Sequence, residues 1–250
     1  MKKWIILLIL LIPTIVNAEF IGVMGSINPE TMIDLKDDFI GGSLESGEIG
    51  KLGWSFTGTN AVASHVASPT GNNPGIKGLA TEAVINSPAI LMLANGVTDT
   101  TFLPTSLFDV TYIVNVGSIA GIKVRVGVSN DWTNYTNSVR GAWFVFNTGA
   151  TDEGSSVTKW ATVTRNASTT TFNNTTIANV SAGSTVYKLR IVRTSATAID
   201  FYIDGVLMFT HSTNLPSAAV LPGIYVESLA AVTPKSINID YFRLKLSVSR

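Results

Sequence analysis

The chain of 250 residues carries 17 Lys+Arg against 17 Asp+Glu, with two His and no Cys. That balance leaves no basic footprint for DNA or RNA. The missing cysteines exclude a disulfide framework, an iron–sulfur cluster, a thiolate zinc site and a cysteine nucleophile. At 46% hydrophobic and 14% charged, the chain is too apolar to remain disordered.

In chain order, the first element is a leader. Met1-Lys2-Lys3 precedes an apolar run from Trp4 to Ile12, Pro13 breaks it, and Val16-Asn17-Ala18 places small residues at a cleavage position. This reads as a secretory signal peptide over residues 1–18, cut after Ala18. The run is shorter than the about 20 residues of a membrane span, and no later run is long enough. The expected product is exported (secreted, periplasmic or cell-surface) and not transmembrane after cleavage; an uncleaved anchor is the alternative. An exported chain without Cys points to a bacterial or phage source. In the N-terminal segment 19–36, Asn28-Pro29-Glu30 would cap a short helix reaching about Leu35. Residues 37–250 are expected to form a single domain.

Period-2 alternation dominates that domain. Val110, Tyr112, Val114 and Val116 alternate with Thr111, Ile113 and Asn115; Val124, Val126 and Val128 alternate with Lys123, Arg125 and Gly127. Ala142-Trp143-Phe144-Val145-Phe146 is apolar on both faces, as a strand packed on both sides requires. Tyr187, Leu189 and Ile191, then Ile199, Phe201 and Ile203, continue the pattern. Asp204-Gly205 fits a two-residue hairpin turn with positive φ, and Ile237 to Leu246 is a final strand. Pro88, Val84 and Ile85 argue for strands over the stretch from Leu79 to Leu93. Turn signals fall between the runs, among them Asn95-Gly96, Asn147-Thr148-Gly149 and Leu221-Pro222-Gly223. Short strands separated by such turns indicate an all-β sandwich or barrel.

Several pieces, in this order, carry a resemblance: Asp37-Asp38-Phe39, Gly50-Lys51-Leu52-Gly53-Trp54, Asn73-Pro74-Gly75-Ile76, Trp160-Ala161-Thr162-Val163-Thr164, Phe201-Tyr202-Ile203-Asp204-Gly205 and Ile239-Asp240-Tyr241-Phe242-Arg243-Leu244. The set resembles the concanavalin A-like lectin/glucanase superfamily, whose jelly roll laminin-G-like modules share. More narrowly, it is similar to uncharacterised phage tail and virion-associated modules of that fold. The resemblance implies a two-sheet antiparallel jelly-roll sandwich, with the groove of sugar-binding members on the concave sheet. It also implies that the last strand closes the sandwich beside the N-terminal one.

Glycoside hydrolysis needs two carboxylates about 5–5.5 Å or about 6.5–9.5 Å apart. The Glu-x-Asp-x-(x)-Glu strand motif of glucanases in this superfamily is absent. Glu227, in Tyr225-Val226-Glu227, is the best strand-borne carboxylate, with Glu82 or Asp200 as a partner that sequence alone does not assign. His65 and His211 lack the Gln and Arg neighbours of polysaccharide lyases on this scaffold and read as ordinary hydrogen-bonded histidines.

Sugar binding asks for less: aromatic faces, with amides and carboxylates for the hydroxyls. The best cluster is the loop around Asn130, Asp131, Trp132, Asn134 and Tyr135, with Arg140 adding a fixed donor fork. The alternative for Trp132 is a lid packed on the sandwich edge. No cofactor is expected; a structural calcium in edge loops would draw on Asp99 and Asp152, but the spacing is not that of a calcium loop. The reading is therefore an exported, non-catalytic module that binds a glycan or cell-surface polysaccharide. The alternatives are a glycan-cleaving enzyme on the same scaffold and a structural or assembly protein of an envelope or virion, as a homo-oligomer.

Overall fold

The computed structural model describes residues 32–39, 50, 52–58, 62–65, 77–81, 84, 86–93, 101–102, 106–132, 139–149, 158–173, 180, 185–230 and 233–247. The leader, the Asn28 cap, Asp99, Asn134, Tyr135, Asp152 and Glu82 lie outside these residues.

The described elements are all strands: β1 (Met32–Asp37), β2 (Ser55–Thr57), β3 (Val62–His65), β4 (Lys77–Ala80), β5 (Ser87–Met92), β6 (Phe108–Val116), β7 (Ile122–Ser129), β8 (Arg140–Asn147), β9 (Ala161–Asn166), β10 (Thr169–Asn173), β11 (Val186–Ser195), β12 (Ala198–Ile203), β13 (Val206–His211), β14 (Leu221–Ser228) and β15 (Ser236–Ser247). They form two antiparallel sheets. The larger has eight strands in the order β13-β12-β11-β6-β15-β4-β3, with β1 also on β15; the smaller has seven, in the order β10-β9-β8-β7-β14-β5-β2.

The alternation seen in the sequence fixes the layers. Val110, Tyr112, Val114 and Val116 of β6 and Val124, Val126 and Val128 of β7 point into one core between the sheets, at 0–1% exposure. The Asp204-Gly205 turn has φ of 52° and 85°, as the hairpin required.

Two sequence expectations are corrected. Met32 to Leu35, expected in a short helix, are strand: β1 pairs along the second half of β15, Leu35 opposite Leu244 and Asp37 opposite Phe242. A proline cap is a local preference, and six ladder positions with Leu35 packed against the core outweigh it. Leu221-Pro222-Gly223, expected as a turn, opens β14. Pro222 has no N–H to donate, and its carbonyl accepts from Leu93 N–H at 3.1 Å beside β5.

Three of the motif pieces, those around Asp37, Trp54 and Phe242, meet at one structural staple; Asn73 to Ile76 lie outside the described residues. The Asp37 carboxylate accepts from Phe39 N–H (2.9 Å), Leu52 N–H (3.0 Å) and Trp54 Nε1–H (3.2 Å). Trp54 then packs on Phe39, ring centroids 5.5 Å apart, and on Phe242 at 4.7 Å. The first and last strands are tied together there, as the resemblance implied.

Candidate functional site

The outer face of the smaller sheet carries the residues that alternate with its core positions. On β7 these are Lys123, Arg125, Gly127 and Ser129; on β8, Trp143 and Val145; on β14, Leu221, Gly223, Tyr225 and Glu227. Register places them in rows. Arg125 stands between Tyr225 and Val145, and Gly127 between Gly223 and Trp143. Two small apolar clusters form outside the main core: Val139, Trp143, Val145, Ala161 and Val163, and beside them Ile90, Trp132, Leu221 and Tyr225.

Both tryptophans rest on glycine. A Cβ on Gly223 would fall 2.5 Å from the Trp132 ring, one on Gly141 would fall 2.7 Å from the Trp143 ring, and one on Gly127 would fall 2.6 Å from Trp143 Cα. Trp132 is 4% exposed and Trp143 1%. The Trp132 indole N–H donates to Leu221 O at 3.2 Å. Trp132 therefore takes the lid alternative, and its ring face is not offered to solvent.

Between the two rings lies a recess lined by Arg125, Ser129, Asp131, Trp132, Val139 and Trp143, of about 10 Å³. That is about the room of one water molecule. Ser129 shapes its rim: the hydroxyl donates to Asp131 O at 2.8 Å and accepts from Asp131 N–H at 3.2 Å. The Arg125 guanidinium lies 4.9 Å from the Tyr225 ring centroid, a cation–π contact.

The residues expected from the sequence divide. Asp131 is in the recess wall. Asn130 is spent on the loop base, where its side-chain oxygen accepts from Arg140 N–H and its own N–H donates to Arg140 O at 2.9 Å. Arg140 Nε–H donates to Asn166 at 3.2 Å, which also accepts from Ser217. Asn134 and Tyr135 lie outside the described residues. Arg125, Trp143 and Val139 were not among the expected site residues. The outward charge on alternating β7 was the available signal for Arg125.

Glu227 stands opposite Lys123 in register, six positions along β7 from Ser129. At ~3.3 Å per residue that is about 20 Å, beyond any hydrolase spacing to Asp131. Asp200 sits on the outer side of the other sheet, accepting from Thr210 Oγ1 at 2.6 Å. It is therefore no partner for Glu227. Among the described residues no cluster of three or more His, Asp or Glu side chains suits a metal ion.

Beneath the recess, Tyr112 reaches across the core from the larger sheet. Its hydroxyl donates to Gly127 O at 2.7 Å and accepts from Gly223 N–H at 3.0 Å. Burial pushes this phenol well above its ordinary pKa, so it stays a donor. A second bridge holds the open edge. The ring of His211, 1% exposed, meets Thr162 Oγ1 at 2.9 Å through Nε2 and Thr164 Oγ1 at 3.2 Å through Nδ1. Thr164 gives its own proton to Thr213 O at 3.0 Å. Desolvation lowers the His211 pKa to about 4.

No protein-family model matches the chain, and no curated protein matches it. Solved structures do. A protein of unknown function from Shewanella oneidensis MR-1 superposes with a TM-score of 0.62 at 16% identity, over 88% of this chain and 89% of that one. The β-glucanase of Bacillus licheniformis gives 0.54 at 13% identity, over 87% and 98%. The carbohydrate recognition domain of Emp47p gives 0.56 at 12% identity, over 88% and 98%. At such identities the likeness is one of fold, and the fold of this chain is the concanavalin A-like jelly roll.

Proposed function

We propose that the chain is an exported, non-catalytic binding protein for a glycan or cell-surface polysaccharide, engaged through the outer face of the smaller sheet. The observation that carries this reading is the recess itself. Asp131, Arg125 and Ser129 line it together with Trp132 and Trp143, around a space of about 10 Å³. A hydroxyl entering there both donates and accepts, each bond netting about 0.5–1.5 kcal/mol. The likeness in fold to a carbohydrate recognition domain supports the reading. So does the separation of Glu227 from Asp131 and Asp200.

Polysaccharide pull-down and a glycan array with the purified chain test it. Binding to at least one polymer is expected, weakened at least tenfold by Asp131→Ala. Failure to bind any polymer, or reducing-end release abolished by Glu227→Gln, would overturn the reading.

A further inference from the structure

Tyr112 is only 1% exposed, yet its hydroxyl touches the two backbone positions on which the recess stands. Gly223 carries the Trp132 ring, and Gly127 lies directly against the Cα and Cβ from which the Trp143 ring projects. The Pro222 carbonyl faces β5, where it accepts from Leu93 N–H. Backbone groups alternate in direction along a strand, so the N–H of Gly223 faces Gly127 on β7. The phenol sits across that rung, accepting from one glycine and donating to the other. A hydroxyl with both roles filled holds the strands at a set spacing in a way a bare aromatic ring does not.

We infer that Tyr112 is the positioning residue of the recess: its hydroxyl fixes the Gly127–Gly223 rung and thereby the separation of the Trp132 and Trp143 rings. This rests on the proposed function for its consequence in binding, but not for its geometry. A ligand group entering between the rings would meet walls set in advance, at little ordering cost.

Tyr112→Phe keeps the ring and removes only the hydroxyl. In the free protein, the Trp132 indole N–H resonance is expected to shift and the Gly223 amide to exchange at least tenfold faster. Affinity for whichever polymer the unaltered protein binds is expected to fall at least fivefold. Ile239→Val, a buried truncation on β15 away from the recess, is the control for lost stability alone. It is expected to lower Tm while leaving the indole resonance and the affinity in place. An unmoved indole in Tyr112→Phe, or an equal shift in Ile239→Val, would overturn the inference. Should the unaltered protein bind no polymer, the proposed function falls while the indole and amide measurements still judge Tyr112. In the unaltered protein the Gly223 amide is expected among the slowest to exchange in β14. Fast exchange there overturns the inference without any variant.

Discussion

Individual buried polar side chains do much of the specifying in this sandwich. Asp37 satisfies three donors, one beside it in the chain and two from the Leu52–Trp54 segment. Asp37→Ala would leave those N–H groups without that acceptor at a site only 1% exposed. A loss of about 3 kcal/mol is expected in urea unfolding, from the ~1–3 kcal/mol each unsatisfied group costs. His211 gives a pH dependence with a definite sign. Its pKa is 6.5 unfolded and about 4 folded. Between those values the unfolded chain binds the extra proton, so stability falls as pH drops from 6.5 to about 4 and changes no further below. The full effect is about 3 kcal/mol at 1.36 kcal/mol per unit. His211→Gln should flatten that part of the urea-midpoint profile. A profile unchanged by the substitution would contradict the Thr162–His211–Thr164 bridge.

Among the strands, β7, β8 and β14 build the recess and β1 and β15 close the sandwich. Gly127→Ala pushes a Cβ against the Ala142 carbonyl and Trp143. An expected cost of about 2 kcal/mol is a Tm drop of about 4–8 °C, with near-UV circular dichroism changing in the tryptophan band. The Arg243–Asp34 pair between β15 and β1 is bidentate, at 2.8 and 2.6 Å. The hydrogen bond from Arg243 comes first in holding the Asp34 pKa down at about 2. The pair is solvent-exposed, however, and screened. Asp34→Asn should cost under about 1 kcal/mol, because the ladder and Leu35 hold β1. A larger loss would show the pair to be worth more than its exposure allows.

For the molecule as a whole, one continuous core joins both sheets, and Tyr112 and His211 each cross it. Shared burial of this kind makes unfolding cooperative. A single calorimetric transition is expected, with calorimetric and van't Hoff enthalpies equal; two resolved transitions would show that the sheets unfold separately. Much of this architecture was legible in the chain. Period 2 in β6, β7, β11, β12 and β15 marked the buried faces, and the doubly apolar run in β8 marked a strand covered on both sides. The site was legible only in part. Asp131, singled out because a polar residue beside an aromatic in a loop is a local pattern, lines the recess. Arg125 was passed over, because nothing local says which charged strand residue faces a recess and which faces open water.

The sequence by itself determined the class of fold, the Asp204-Gly205 hairpin and which strand positions face inward, since alternation and positive φ are properties of neighbouring residues. It did not determine that Met32 to Leu35 would be strand, that Pro222 would open one, or that Trp132 would lie face down on Gly223. Those outcomes depend on register between segments far apart in the chain, such as Gly127 with Gly223 and Leu35 with Leu244. Register is settled by the burial it permits across the whole sheet, and only the assembled sandwich contains that information.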